Sequence, residues 1–121
     1  MVITAIEHVQ LAMPPGMEDK AREFYRDVLG IPEVPKPPNL AIRGGAWFEQ
    51  GPVKIHLGVE AEFYPARKAY PALLVTDLAA LVARLKSHNV EVIDDDQLED
   101  YDRVYISDPF GNRIELMEPR P

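Results

Sequence analysis

Asp108-Pro109-Phe110-Gly111-Asn112-Arg113-Ile114-Glu115-Leu116-Met117-Glu118 decides how the rest of the chain is read. Asp-Pro opens a turn, and Gly111-Asn112 supplies residues that tolerate positive φ. A strand pattern follows, with Ile114 and Leu116 on one face and Glu115 and Met117 on the other. Glu115 stands among core-type neighbours, and a carboxylate there needs a partner. An earlier strand, Val53-Lys54-Ile55-His56-Leu57, carries His56 at the matching place. The offsets agree, since 115 − 56 = 59 and 112 − 53 = 59. One unit is written twice.

Working outward, the 121 residues suffice for a real hydrophobic core. With 27% charged and 46% hydrophobic residues the composition is globular. A net charge of −7 argues against nucleic acid or an anionic membrane as partner, because both select basic patches. The absence of cysteine removes disulfides, thiolate nucleophiles and thiolate metal sites. The N-terminus shows no basic region ahead of an apolar run, and no run reaches membrane-spanning length. These features predict a cytoplasmic protein.

In chain order, Ile3 to Met13 reads as a strand, with His8 and Gln10 on one face. Ala21, Phe24, Tyr25, Val28 and Leu29 follow the spacing of an amphipathic helix, and Gly30 fits its left-handed stop. Ile31 to Leu40 holds four of the twelve prolines and predicts a loop or an edge strand. Ala41 to Glu49 and Val53 to Val59 read as strands joined at Gln50-Gly51. Glu60 to Ala69 connects the halves. Pro71 to Thr76 is then a short strand, and Thr76 or Asp77 caps a helix bearing Leu78, Leu81, Val82 and Leu85. Asn89 stands where Gly30 stood. Val90 to Ile93, Arg103 to Ser107 and Asn112 to Glu118 complete the strands, with an acidic loop from Asp94 to Asp100. Each half is strand, helix, three strands: an α+β chain of two βαβββ modules, residues 1–62 and 63–121. Aligning the starts of the halves sets His8 against Tyr70, an offset of 62. His8, His56, Tyr70 and Glu115 are then four equivalent positions expected to face inward.

His8 in the first strand, Phe24-Tyr25-Arg26-Asp27-Val28-Leu29-Gly30 at the helix end, and the Asp108–Leu116 motif together resemble the vicinal oxygen chelate superfamily. Its members include glyoxalase I, fosfomycin resistance enzymes, bleomycin resistance proteins and extradiol dioxygenases. The resemblance spans nearly the whole chain and implies paired βαβββ modules whose mixed sheet curves around a small-molecule cavity. In metal-dependent members the ligands come from the first and fourth strands of each module, positions matched here by His8, His56, Tyr70 and Glu115. Many members carry histidine where this chain has Tyr70. The resemblance also implies a homodimer whose partner chain helps complete each cup.

Two imidazoles and a carboxylate, His8, His56 and Glu115, suit a divalent Fe, Mn, Zn or Ni ion with open positions. Such an ion binds adjacent substrate oxygens and stabilises an enediolate or alkoxide. Glu115 and Tyr70 are the candidate catalytic groups, Tyr70 as a weak fourth ligand, a proton donor or a hydrogen-bonding wall. Trp47, Phe48, Arg103 and Tyr105 are candidate substrate contacts, with Arg103 able to hold an anion. The first functional expectation is a metal-dependent lyase or dioxygenase acting on a small oxygenated substrate. Its rival is a metal-free drug-binding protein of the bleomycin-resistance kind, in which the histidines are merely satisfied polar groups and Glu115 pairs with a neighbour. His88 fits a helix C-terminus, and Arg22 and Arg26 fit a solvated helix face.

Overall fold

A computed structural model describes residues 2–96 and 98–121. The chain divides into two compact units, Met1–Tyr64 and Pro65–Pro121, each with a four-stranded mixed sheet. Among the described residues no helix is long and apolar enough to cross a membrane.

The first unit runs β1 (Val9–Met13), α1 (Glu18–Ala21), a π-helical stretch (Arg22–Val28), β2 (Glu33–Val34), α2 (Pro38–Ala41), β3 (Ala46–Gln50) and β4 (Val53–Val59). Its sheet order is β1-β4-β3-β2, with β1 parallel to β4 and the other pairs antiparallel. Leu11, Met13, Ala46, Phe48, Ile55 and Leu57 bury one face, together with Ala21, Phe24, Tyr25 and Val28 of the helix. Tyr25 stacks on Phe48 with ring centres 5.3 Å apart.

Several boundaries differ from expectation. The first strand begins at Val9 and not Ile3, and residues 2–8 carry no regular structure. The register Val9↔Ile55 explains this, because residues before Glu7 would run past the start of β4 into the turn at Gln50-Gly51. The helix is α-helical only to Ala21 and then π-helical, with Leu29 N–H donating to Phe24 O at 2.9 Å. The wider turn suits adjacent Phe24 and Tyr25, both of which are buried. Ala41, expected to start a strand, instead ends a helical turn whose opening Pro38 loses no needed donor. Arg22 is not merely solvated; it binds Glu33 at 2.8 Å and Asp19 at 2.9 Å.

The second unit runs β5 (Ala72–Leu74), α3 (Leu78–Ser87), β6 (Ile93–Asp94), β7 (Tyr101–Ser107) and β8 (Arg113–Pro119), with sheet order β5-β8-β7-β6. Again the first and last strands are parallel and the rest antiparallel. Val104, Ile106, Ile114 and Leu116 bury one face, and Leu78 and Leu85 of α3 are buried too. Asp77 caps the helix by accepting from Ala80 N–H at 3.1 Å, and Glu118 accepts from Leu78 N–H at 2.8 Å. Asn89 takes φ 61° at the helix end, as Gly30 takes 78° in the first unit. The strand expected over Val90 to Ile93 is Ile93–Asp94 instead. Both units are βαβββ, so the chain is α+β with two such modules.

The strand registers make the repeat concrete. Gln10 is paired with His56 in one sheet, and Ala72 with Glu115 in the other. The offsets are 72 − 10 = 62 and 115 − 56 = 59, the two values that set His8 against Tyr70 and His56 against Glu115.

Candidate functional site

The turn before β8 shows why the sequence needs Asp and Asn there. The Asp108 carboxylate accepts from the N–H groups of Phe110 and Asn112, both at 2.9 Å, and from Asn112 Nδ2 at 3.0 Å. Asn112 Oδ1 then accepts from Ala66 N–H at 2.9 Å. Arg113 N–H donates to Ala66 O at 2.8 Å and Glu115 N–H to Pro71 O at 3.0 Å, so the strand start holds the segment carrying Tyr70. Asn112 is fully buried and Asp108 nearly so. The motif is a clamp that fixes Tyr70 beside β8.

Tyr70, Arg103, Tyr105 and Glu115 meet on the polar side of that sheet. Tyr105 lies opposite Glu115 in the register, and its hydroxyl is 3.0 Å from the Tyr70 hydroxyl. The two rings pack edge to face at 5.4 Å. Arg103 Nη1 donates to Tyr105 Oη at 3.0 Å and to Glu115 Oε2 at 3.4 Å. Its Nε and Nη2 donate to the Asp96 carbonyl, so the acidic loop is tied to this cluster rather than merely solvated. The Arg113 guanidinium lies 4.7 Å from the Tyr105 ring centre and 6.0 Å from that of Tyr70. The Tyr105 phenol is pushed up to about 12, first by its hydrogen bond with Tyr70, then by burial and the Glu115 charge. It is neutral throughout the physiological range.

The polar side of the first sheet is a ring stack. Trp47 and His56, paired across β3 and β4, lie 4.1 Å apart at 6°. His8 covers the other side of His56 at 4.2 Å and 20°. His56 Nε2 is 2.7 Å from Glu49 Oε2. His56 is buried, whereas His8 precedes β1, keeps 39% of its side chain exposed and meets Glu7 at 3.1 Å. His8 therefore lies just ahead of the strand expected to carry it, on the same side of the sheet as His56.

The other sequence candidates are distributed plainly. Trp47 is half-buried on the His56 side, but Phe48 points to the opposite face and is fully buried against Tyr25. His88 is an exposed C-cap. The residues that sequence reasoning missed are Glu49, whose spacing two residues from Trp47 puts it on the same strand face, and Arg113, two residues before Glu115.

The arrangement does not fit a shared divalent ion. An imidazole ligates through a lone pair in its ring plane, and the planes of His8 and His56 run nearly parallel, so one ion cannot lie in both. Glu49 already occupies His56 Nε2, and the Arg103 cation already occupies Glu115. Within neither unit do three His, Asp or Glu side chains among the described residues converge on one point.

Comparisons agree with the fold. Residues 5–116 match the Glyoxalase/Bleomycin resistance protein/Dioxygenase superfamily. A Bacillus anthracis protein assigned to the glyoxalase family is 48% identical and superposes with a TM-score of 0.95, over 99% of this chain and 98% of its own. TnmS3, an antibiotic binding protein from Streptomyces sp. CB03234, is 22% identical with a TM-score of 0.76, covering 99% of each chain. A lactoylglutathione lyase from Agrobacterium tumefaciens is 24% identical with a TM-score of 0.73, covering 98% of this chain and 96% of its own. No curated protein matches the chain.

Proposed function

The chain belongs to the glyoxalase/bleomycin resistance protein/dioxygenase superfamily, and from that premise we propose that it binds a small aromatic molecule without using a metal ion. The observation that carries this reading is the self-pairing of the ligand-type groups. Glu115 is 3.4 Å from Arg103 and His56 is 2.7 Å from Glu49, so both carry partners that an ion would have to displace. What the polar faces offer instead is ring surface and hydrogen-bond donors: Trp47 on one sheet, Tyr70, Tyr105 and two guanidinium groups on the other. Aromatic pairs in such settings contribute about 0.5–1.5 kcal/mol each beyond the area they bury. A role like that of TnmS3, an antibiotic binding protein, suits that chemistry.

Trp47 is the sole tryptophan and sits in the His56 stack, which makes its emission a direct reporter. Titrating a panel of aromatic compounds into full-length protein, with and without chelator, should show saturable changes in Trp47 emission that chelator leaves unchanged. Binding that requires added metal, or no response to any compound, overturns the reading.

A second reading, a metal-dependent lyase or dioxygenase with His8, His56 and Glu115 as ligands and Tyr70 facing substrate, is favoured by one observation. The pairings Gln10↔His56 and Ala72↔Glu115 put these residues at the family's ligand positions. It requires His8 to leave the stack and Glu115 to leave Arg103. Under either reading the chain forms a homodimer, for which the exposed apolar Val2, Ile3 and Ile6 ahead of edge strand β1 supply a contact. Light scattering that finds monomer alone contradicts the dimer.

A further inference from the structure

We propose that the Arg113 guanidinium and the Tyr70 hydroxyl form a seat for a carboxylate on the bound aromatic molecule, an assignment that rests on the ligand-binding reading above.

The two arginines beside Tyr105 differ in one respect. Arg103 is committed to Glu115, to the Asp96 carbonyl and, at 3.9 Å, to Asp95. Arg113, half-buried, has no carboxylate within ion-pair distance among the described residues. It holds its place by cation–π contact with Tyr105 at 4.7 Å. A guanidinium held by a ring in this way keeps N–H donors to spare, and these bind carboxylates in parallel pairs.

The direction of the hydroxyl chain supplies the second donor. Arg103 Nη1 can only donate, so Tyr105 Oη accepts from it. Among the described contacts the one acceptor within reach of the Tyr105 proton is Tyr70 Oη at 3.0 Å. With an anion seated here, Tyr105 donates to Tyr70 and Tyr70 to the anion, the direction that gives both phenol protons an acceptor. The raised titration of Tyr105 keeps that proton on the relay across the physiological range. Tyr70 and Arg113 thus present two unspent donors side by side, with Arg113 6.0 Å from the Tyr70 ring centre.

Local charge agrees with an anionic guest despite the chain's net charge of −7. Arg67 and Lys68 are exposed on the segment whose Ala66 carbonyl accepts from Arg113 N–H. They add positive potential where the overall field would repel an anion. This also gives the Tyr70 position a purpose that needs no metal, since a phenol donates where a neutral imidazole ligand would accept.

The test is two-dimensional NMR of the arginine Nε–Hε and tyrosine ring signals in the full chain, titrated with benzoate and, separately, with the uncharged benzamide. Benzoate is expected to move the Arg113 and Tyr70 signals saturably and to bind more tightly than benzamide. Arg113→Gln should weaken benzoate by about tenfold or more, as expected for loss of a charge-assisted pair, and leave benzamide unchanged. Arg113→Lys should lie between, and Tyr70→Phe should also weaken benzoate selectively. Unaltered amide signals of Leu78 and Leu85 in α3, away from the substituted groups, will show in each variant that the fold survives. Benzoate binding that Arg113→Gln leaves intact, or benzoate no tighter than benzamide, overturns the seat while the binding reading stands. Failure of both probes to move any Trp47 or tyrosine signal overturns both.

Discussion

Asn112→Ala tests whether the turn before β8 is a clamp for Tyr70. The Asn112 side chain donates to Asp108 at 3.0 Å, accepts from Ala66 N–H at 2.9 Å, and is fully buried. The first involves a carboxylate, worth roughly 1.5–3 kcal/mol, and the second is neutral, worth roughly 0.5–1.5 kcal/mol. Truncation also leaves the Ala66 N–H short of a partner, so the loss should not fall at the bottom of that sum. About 3 kcal/mol of stability should be lost, or about 10 °C in melting temperature for a chain of this size. Urea unfolding followed by circular dichroism measures it, with the slope checked for two-state behaviour. The clamp predicts a second consequence at the site. With Ala66 released, the Tyr70–Tyr105 hydrogen bond should weaken and Tyr105 should titrate closer to an ordinary phenol. A variant within about 0.5 kcal/mol of the parent, the scale of an ordinary surface change, would refute the reasoning.

Tyr105 gives a pH signature. Its folded value, about 12, lies above the ordinary phenol value near 10, so it adds stability that is fully present below pH ~10 and is lost as pH rises through about 12. In Tyr70→Phe the folded titration should move back toward the ordinary phenol value and the stability lost should shrink; the 295 nm tyrosinate absorbance, differenced against Tyr105→Phe, follows the first. Gly45→Ala should be strongly destabilising, because φ there is +82° and a Cβ would stand 2.1 Å from the Leu57 carbonyl oxygen. The left-handed strain alone costs about 1–2 kcal/mol, and a thermal melt unchanged from the parent would contradict the β3–β4 packing. Asp77→Ala should cost about 1 kcal/mol through loss of the Ala80 cap, read from the urea midpoint.

The repeat was legible because strand side chains alternate with a fixed period, so the separations of 59 and 62 residues survive folding as register. The positions of His56, Glu115 and Tyr70 followed from that arithmetic. What the residues do with one another was less legible. Glu115 pairs with Arg103 because a hairpin puts Arg103 on Met117, one diagonal step from Glu115 on the same face. Both strands of that hairpin, Arg103–Ser107 and Asn112–Glu118, were predicted, so this contact was recoverable from their register. The π-helical turn was not recoverable, since Ala21, Phe24, Tyr25 and Val28 satisfy an α-helical stripe equally well. His8 misled because alternation in Ile3–Met13 looks like a strand, while only the partner's length decides how far pairing runs.

On the proposed reading, Glu115 and His56 are held by Arg103 and Glu49 and bind no ion. The most direct measurement is bound metal per chain after equilibrium dialysis against Zn, Mn, Ni and anaerobic Fe(II), each in excess and then removed by gel filtration. Far less than one ion per chain is expected for every metal, with the same residual amount in Glu115→Ala. Stoichiometric metal that Glu115→Ala or His56→Ala abolishes would contradict it.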